Sequence, residues 1–389
     1  MPSVYPSYQT VWAGFLSAVI GVASSFAVVI HGLTHVGATM AEATSGLMAL
    51  YISMGICAIV VSLALKMPVA MAQSMPGAAL LATTGAVAGG FPAAVGAFIL
   101  CAGLIMLSGL FRPLTRLVSA VPMPLANAML AGVLFGLCLA PVKSVALAPL
   151  EALPVIAVWA IGLRFFPLFS MLLALAVTVI LTFTVGTPDQ LDRISAFAKL
   201  ELVPPVFTWQ AIVGIALPLY LVTMASQNIP GVAVLAAYKY SPEPGKLFAA
   251  TGFFSFLSAP FGGHAITLAA ITAALCAGED ADPAPERRYW AAVFGGVFYI
   301  VLGLFSGLVS AFIMATPDHL ITALAGLALI GAFAQAVISA TREAATRTPA
   351  IITFLVTASG VPIAGVSSAF WGLAAGGAFF ALMRFKRPR

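Results

Sequence analysis

Apolar runs of roughly 18 to 25 residues, the length that carries a helix across a ~30 Å hydrocarbon core, follow one another along nearly the whole of this 389-residue chain. Only 7% of the residues are charged, 62% are hydrophobic, and the mean hydropathy is +1.10. A soluble domain carries about 25% charged residues, so this chain lacks the polar surface to coat a water-soluble globule. A membrane β-barrel would show segments of alternating polarity, each about ten residues long, and these are absent. The expectation is an all-α polytopic membrane protein. The opening MPSVYPSYQT has no basic stretch, so the first apolar run reads as a span rather than a cleaved leader.

We count about 14 transmembrane helices, near 10–31, 42–65, 75–86, 91–111, 122–140, 150–165, 167–185, 209–228, 243–258, 263–277, 288–313, 318–338, 346–359 and 362–383. The basic residues test the count. With the N-terminus inside, fourteen of the 17 Lys and Arg fall in cytoplasmic segments, and only Lys143, Arg193 and Lys199 fall outside. The positive-inside rule therefore places both termini in the cytoplasm of a bacterial-type inner membrane. The net charge of +5 is spread singly and in pairs, apart from the tail Arg384, Lys386, Arg387 and Arg389. It reads as a membrane pattern and not as a nucleic-acid surface. Cys57, Cys101, Cys138 and Cys276 are isolated in apolar runs with no metal or redox spacing, so no cofactor or metal is expected.

The longest polar stretch, 186–208, falls at mid-chain. At an offset of 195, Pro122, Pro154 and Pro167 meet Pro317, Pro349 and Pro362. We therefore expect repeats at 1–185 and 209–389, joined by an extracytoplasmic linker at 186–208. Seven spans per half is odd, so the halves would insert with opposite orientation, as in secondary transporters.

Such folds place their site where apolar segments are short or interrupted at matching places. Two fit: 68–85, PVAMAQSMPGAALLATTG, and 257–278, LSAPFGGHAITLAAITAALCAG. In each, an extended stretch leads into a short helix. Facing helix N-termini would offer unpaired N–H groups and partial positive charge to an anion. The candidate contacts are Gln73, Ser74, Met75, Gly77, Phe261, Gly262, Gly263 and His264; the alternative is that these glycines and prolines only pack or kink helices. Gln227 and Asn228, deep in span eight, need polar partners, either a substrate or a neighbouring helix. Ser25, with Ser24, holds the related place in the first half. His264 is the ionisable group expected inside the site, for anion contact or proton coupling, or as a neutral core histidine. Neither segment contains a carboxylate, which suits an anionic substrate. His31 and His35, in what reads as an outer connection, have a metal-compatible spacing but read better as structural. Asp318-His319 reads as the N-terminal cap region of span twelve, a structural role.

The segments 260–296, 217–235 (LPLYLVTMASQNIPGVAVL) and 121–135 (VPMPLANAMLAGVLF) carry a resemblance to the benzoate:proton symporter family, BenE, over almost the whole chain. The family is similar in fold to nucleobase and sulfate transporters. That resemblance implies a core domain (1–111 and 209–313) and a gate domain (112–185 and 314–389). It also implies proton-coupled uptake of benzoate or a related aromatic carboxylate by alternating access, with the proton on His264 or on the substrate. A homodimer in membrane lipid is one assembly it allows. Nucleobase transporters carry glutamates on spans eight and ten, where this chain has Gln227 or Asn228 and His264. That departure argues against a nucleobase. The alternatives are a transporter of this fold for a nucleobase or an inorganic anion, a passive anion channel, or a membrane-embedded enzyme. The enzyme reading lacks an HExxH, GxSxG or CxxC motif.

Overall fold

A computed structural model describes residues 5–111, 122–186, 196–269 and 272–384. Arg112, Arg116, Arg193, Lys386, Arg387 and Arg389 lie outside them. The chain runs α1 (Tyr8–His35), α2 (Met40–Leu65), β1 (Met71–Gln73), α3 (Met75–Thr84), α4 (Gly90–Leu110), α5 (Met123–Cys138), α6 (Ala140–Leu147), α7 (Pro149–Phe165) and α8 (Ser170–Val185). It continues with α9 (Trp209–Ala237), α10 (Pro244–Ser258), β2 (Ile266–Leu268), α11 (Thr272–Ala277), α12 (Tyr289–Leu304), α13 (Ser306–Ala315), α14 (Asp318–Thr341), α15 (Arg347–Ala358) and α16 (Ser368–Arg384). Seven of the described helical segments are long and apolar enough to cross a membrane, and an eighth if α12 and α13 count as one bent span. The chain is thus a multi-pass membrane protein. The 53° bend between α12 and α13 lies among Gly303, Ser306 and Gly307, residues that commonly mark kinks.

Local chemistry sets the helix starts. Ser7 Oγ accepts the Thr10 N–H (3.2 Å). Thr39 and Glu42 form a reciprocal capping box at the start of α2, which satisfies two otherwise orphaned donors. Asp318 and His319 open the first turn of α14 as expected, with Pro317 in the N-cap position and no side-chain cap bond. His31 and His35 belong to the last turns of α1, not to a connection. Their rings lie 4.0 Å apart, centroid to centroid, and His35 Nδ1 is 3.0 Å from the His31 carbonyl oxygen.

Two features depart from a purely helical reading. The first is a two-stranded antiparallel sheet, β1 with β2. The second is a pair of π-helical turns in α9, at Ile212–Ala216 and Met224–Asn228. Pro218 and Pro230 follow them closely. A proline removes an N–H from the i→i−4 ladder and its ring crowds the preceding turn. Here Leu217 and Ile229 reach back five residues, to the Ile212 and Met224 carbonyls, the pattern of a π-bulge.

Packing relies on small residues that let backbones approach, as is usual between membrane helices. A Cβ on Gly55 would lie 2.5 Å from the Gly296 carbonyl oxygen, and one on Gly296 equally close to that of Gly55. This contact seats α2 on α12. Helices α1, α2 and α12 pack together, and α4 packs on α10. In a second group α5 packs on α14 and α15, α15 on α16, and α7 on α8. The groups meet where α1 touches α14 and α3 touches α5.

Candidate substrate cavity

The two interrupted segments meet at β1 and β2. Met71 stands opposite Leu268, Ala72 opposite Thr267, and Gln73 opposite Ile266. Backbone bonds extend the crossing: Ala269 N–H donates to the Ala70 carbonyl and Ser74 N–H to the Ala265 carbonyl, both at 3.0 Å. Thr267 Oγ1 donates to the Ala72 carbonyl at 3.2 Å. Ile266 and Thr267 are β-branched and favour extended backbone. The expectation that span ten begins at 263 therefore fails: described helix resumes only at Thr272. His264 consequently lies before the strand rather than at a helix end.

Beside this crossing is a cavity of about 210 Å³, below the roughly 300–1,000 Å³ of sites for drug-sized ligands. One side presents Ser24, Gln73, Met75, Gln227, Thr272 and Tyr299; the other presents Pro167, Leu168, Ser170, Met171 and Ala328. The cavity thus lies between the two packing groups. Its wall is mainly apolar, with amides and hydroxyls interspersed.

Of the residues expected from sequence, Ser24, Gln73, Met75 and Gln227 line this cavity, and the others are placed elsewhere. Ser25 is buried and donates to the Gly21 carbonyl at 2.6 Å; its neighbour Ser24 faces the cavity. Ser74 caps α3, with Oγ accepting Gly77 N–H (3.1 Å) and lying 2.9 Å from Thr223 Oγ1. Gly77 makes room for that cap, since a Cβ there would lie 2.7 Å from Ser74 Oγ. Asn228 Oδ1 accepts the Leu268 N–H at 3.0 Å, so it holds β2. Adjacent Gln227, in the same π-turn, lines the cavity. The Phe261 carbonyl accepts the Ser45 hydroxyl at 3.0 Å. Gly262 adopts φ +92°, a conformation that favours glycine, and its carbonyl oxygen would lie 2.6 Å from a Cβ on Gly46. Gly263 packs against Ser258. His264 is wholly buried, its Nε2 2.9 Å from the Ser74 carbonyl oxygen and its ring edge-on to Phe98.

Sequence reasoning missed Tyr299, the 167–171 turn and Ala328. Tyr299 OH donates to the Ser17 carbonyl at 3.4 Å, and Gly21 leaves room for that hydroxyl. The signal available was a tyrosine within an apolar span, which needs a polar partner when buried. Nothing in the apolar sequence around Ala328 distinguishes it.

The electrostatics differ from two bare helix ends. In the first turn of α3, Pro76 has no N–H and Ser74 takes that of Gly77, which leaves the Met75 N–H. α11 has six described residues, too few for a sizeable dipole. A helix N-terminus contributes ~0.3–1 kcal/mol to an anion, up to ~2 in favourable geometry, whereas removing a carboxylate from water costs several kcal/mol. Among the described lining residues no Lys, Arg, His, Asp or Glu appears, so no full cation makes up the difference.

A family model described as BenE, "Benzoate membrane transport protein", matches residues 5–382. The chain is 35% identical over 380 residues to "Inner membrane protein YdcO" of Escherichia coli (strain K12), covering 98% of this chain and 97% of that protein. It is 34% identical over 380 residues to "Benzoate membrane transport protein" of Acinetobacter baylyi (strain ATCC 33305 / BD413 / ADP1), covering 96% and 95%. Among solved structures it is similar to SLC26A9, with a TM-score of 0.63 at 13% identity, over 96% of this chain and 65% of that one. It is also similar to the transmembrane domain of a cyanobacterium bicarbonate transporter, BicA, with a TM-score of 0.61 at 16% identity over 97% of each chain. At these identities the structural likeness speaks to the fold alone.

Proposed function

Since the chain belongs to the BenE family of benzoate membrane transport proteins, we propose that it is a secondary active transporter that takes up benzoate, or a closely related aromatic carboxylate, together with a proton. The observation that carries this reading is the small cavity held between the two packing groups and beside the β1–β2 crossing. Ile20, Leu168, Met171 and Ala328 offer an apolar bed for a ring, and Gln73, Gln227 and Thr272 offer polar contacts to a carboxyl group. Movement of one group against the other would open the cavity to each side in turn, as in alternating access.

In this reading the helices of 1–111 and 209–313 form the core, and those of 112–185 and 314–389 form the gate, related as inverted seven-span repeats. The seven long helices, the bent pair and six shorter helices supply fourteen candidate spans. The basic-residue asymmetry supports cytoplasmic termini, and the name of the Escherichia coli relative supports an inner-membrane location.

The test is uptake of labelled benzoate into proteoliposomes with and without an inward proton gradient. Accumulation above protein-free vesicles, increased by the gradient, is expected; no accumulation under either condition refutes the reading. An inorganic anion is the second reading, because BicA is a bicarbonate transporter. The apolar wall disfavours it, and bicarbonate and sulfate should compete weakly where benzoate analogues compete strongly.

A further inference from the structure

Gln73 is 3% exposed, and its Oε1 is buried with no hydrogen-bond partner. Buried polar atoms are nearly always paired, so an orphaned acceptor on a cavity wall calls for a missing donor. The amide torsion is soft, so the Gln73 carboxamide, which lines the cavity, can turn to present an acceptor to it. A bare carboxylate has no donor to give it. A carboxylic acid has one: its O–H donates to Gln73 Oε1, while its carbonyl oxygen accepts from the Gln227 amide or the Thr272 hydroxyl.

A second, independent observation concerns charge. Among the described residues lining the cavity, Tyr299 alone is titratable, and its hydroxyl is engaged with the Ser17 carbonyl. Ala270 and Ile271, between β2 and α11, are apolar. His264 has no exposed surface and sits behind the Ser74 carbonyl, outside the cavity lining. Thus no described group in contact with the cavity can take up a proton at neutral pH or pair with a full negative charge. A buried carboxyl without a cation neutralises by binding a proton.

We propose that the transported proton rides on the substrate's own carboxyl group, and that Gln73 recognises the neutral acid. This rests on the carboxylate reading above and adds the protonation state of the bound species. Carboxylate and proton enter together, the cavity holds the uncharged acid, and both leave on the other side.

Benzamide tests this, because its carboxamide carries a permanent donor and acceptor and does not titrate near neutrality. Binding of benzoate and benzamide to the purified protein in lipid nanodiscs is measured between about pH 5.5 and 8. Benzoate affinity should fall about tenfold per pH unit throughout, as one-proton linkage requires. Benzamide should compete with benzoate, with an affinity that does not change with pH. Gln73→Leu should weaken both ligands by about fivefold or more without lowering the melting temperature, because it removes an unpaired buried group. Benzoate affinity that is flat with pH, with no competition by benzamide, means that the bare anion binds and overturns the proposal. Affinity that levels off within this range, or a slope that is lost in a folded His264→Ala variant, places the proton on the protein and overturns it too. Unchanged binding by a folded Gln73→Leu variant removes Gln73 from recognition and with it the proposal. If benzoate fails to bind at every pH while the protein remains folded, the carboxylate reading itself is wrong.

Discussion

At the scale of single residues, His264 illustrates how a partner defines a side chain's state. The Ser74 carbonyl can only accept a hydrogen bond, so the His264 Nε2 that lies 2.9 Å away carries the proton and donates it. Nδ1 is buried without a partner, and the ring packs on Phe98. This histidine ties the stretch before β2 to the N-cap of α3. Replacing it with alanine removes that tie and leaves space in a packed region, a loss of roughly 1–3 kcal/mol. We expect His264→Ala to lower the melting temperature and to reduce uptake more than His319→Ala does, since His319 only reaches Glu151 (2.8 Å) at a partly exposed site. The pH dependence of the remaining uptake should keep its wild-type shape. A displaced pH profile in His264→Ala would instead identify this histidine as the proton carrier.

At the scale of elements, the cavity depends on helices being broken in specified places. Pro230 shifts the preceding turn of α9 into π geometry, and adjacent Gln227 and Asn228 then serve the cavity and β2 respectively. An unbroken α-helix would rotate these side chains away from that arrangement. The contact of α2 with α12 is set by Gly55 and Gly296, where each backbone carbonyl occupies the space of the other's missing Cβ. Gly55→Val should destabilise the protein by roughly 1–3 kcal/mol through overpacking. Gly103 in α4 faces open space, and Gly103→Ala should leave stability unchanged or slightly raised. Thermal melts of the two variants in detergent make the comparison; equal melting temperatures would show that glycine contact does not set the α2–α12 distance.

At the scale of the whole molecule, the cavity has walls from both packing groups, so its shape is a property of how they meet. Ala328 on α14 belongs to the second group and faces Gln73 and Gln227 across the cavity. Ala328→Trp should fill that space, abolish benzoate binding and uptake, and leave the melting temperature close to wild type. Retained binding in the folded variant would place the substrate elsewhere. Ala328 was not legible beforehand, because an alanine in an apolar span has no local signal, whereas Gln73 and Gln227 stand out as amides that a membrane interior does not tolerate without a purpose.

The membrane as solvent explains what was readable in one dimension. Hydrocarbon forbids unpaired backbone, so long apolar runs must be helices, and most helix limits could be placed within a few residues. Proline, glycine and polar residues inside those runs marked where helices must break. Only the tertiary structure decided what the breaks are for. The pairing of β1 with β2 joins residues almost 200 positions apart, and it moves His264 behind a backbone carbonyl while leaving Gln73 at the cavity. Which of two neighbours, Ser24 or Ser25, meets the cavity is a matter of helix rotation, settled by contacts with other helices. Burial and pairing across long separations are three-dimensional properties, and they alone distinguish a side chain that holds the fold from one that can meet a substrate.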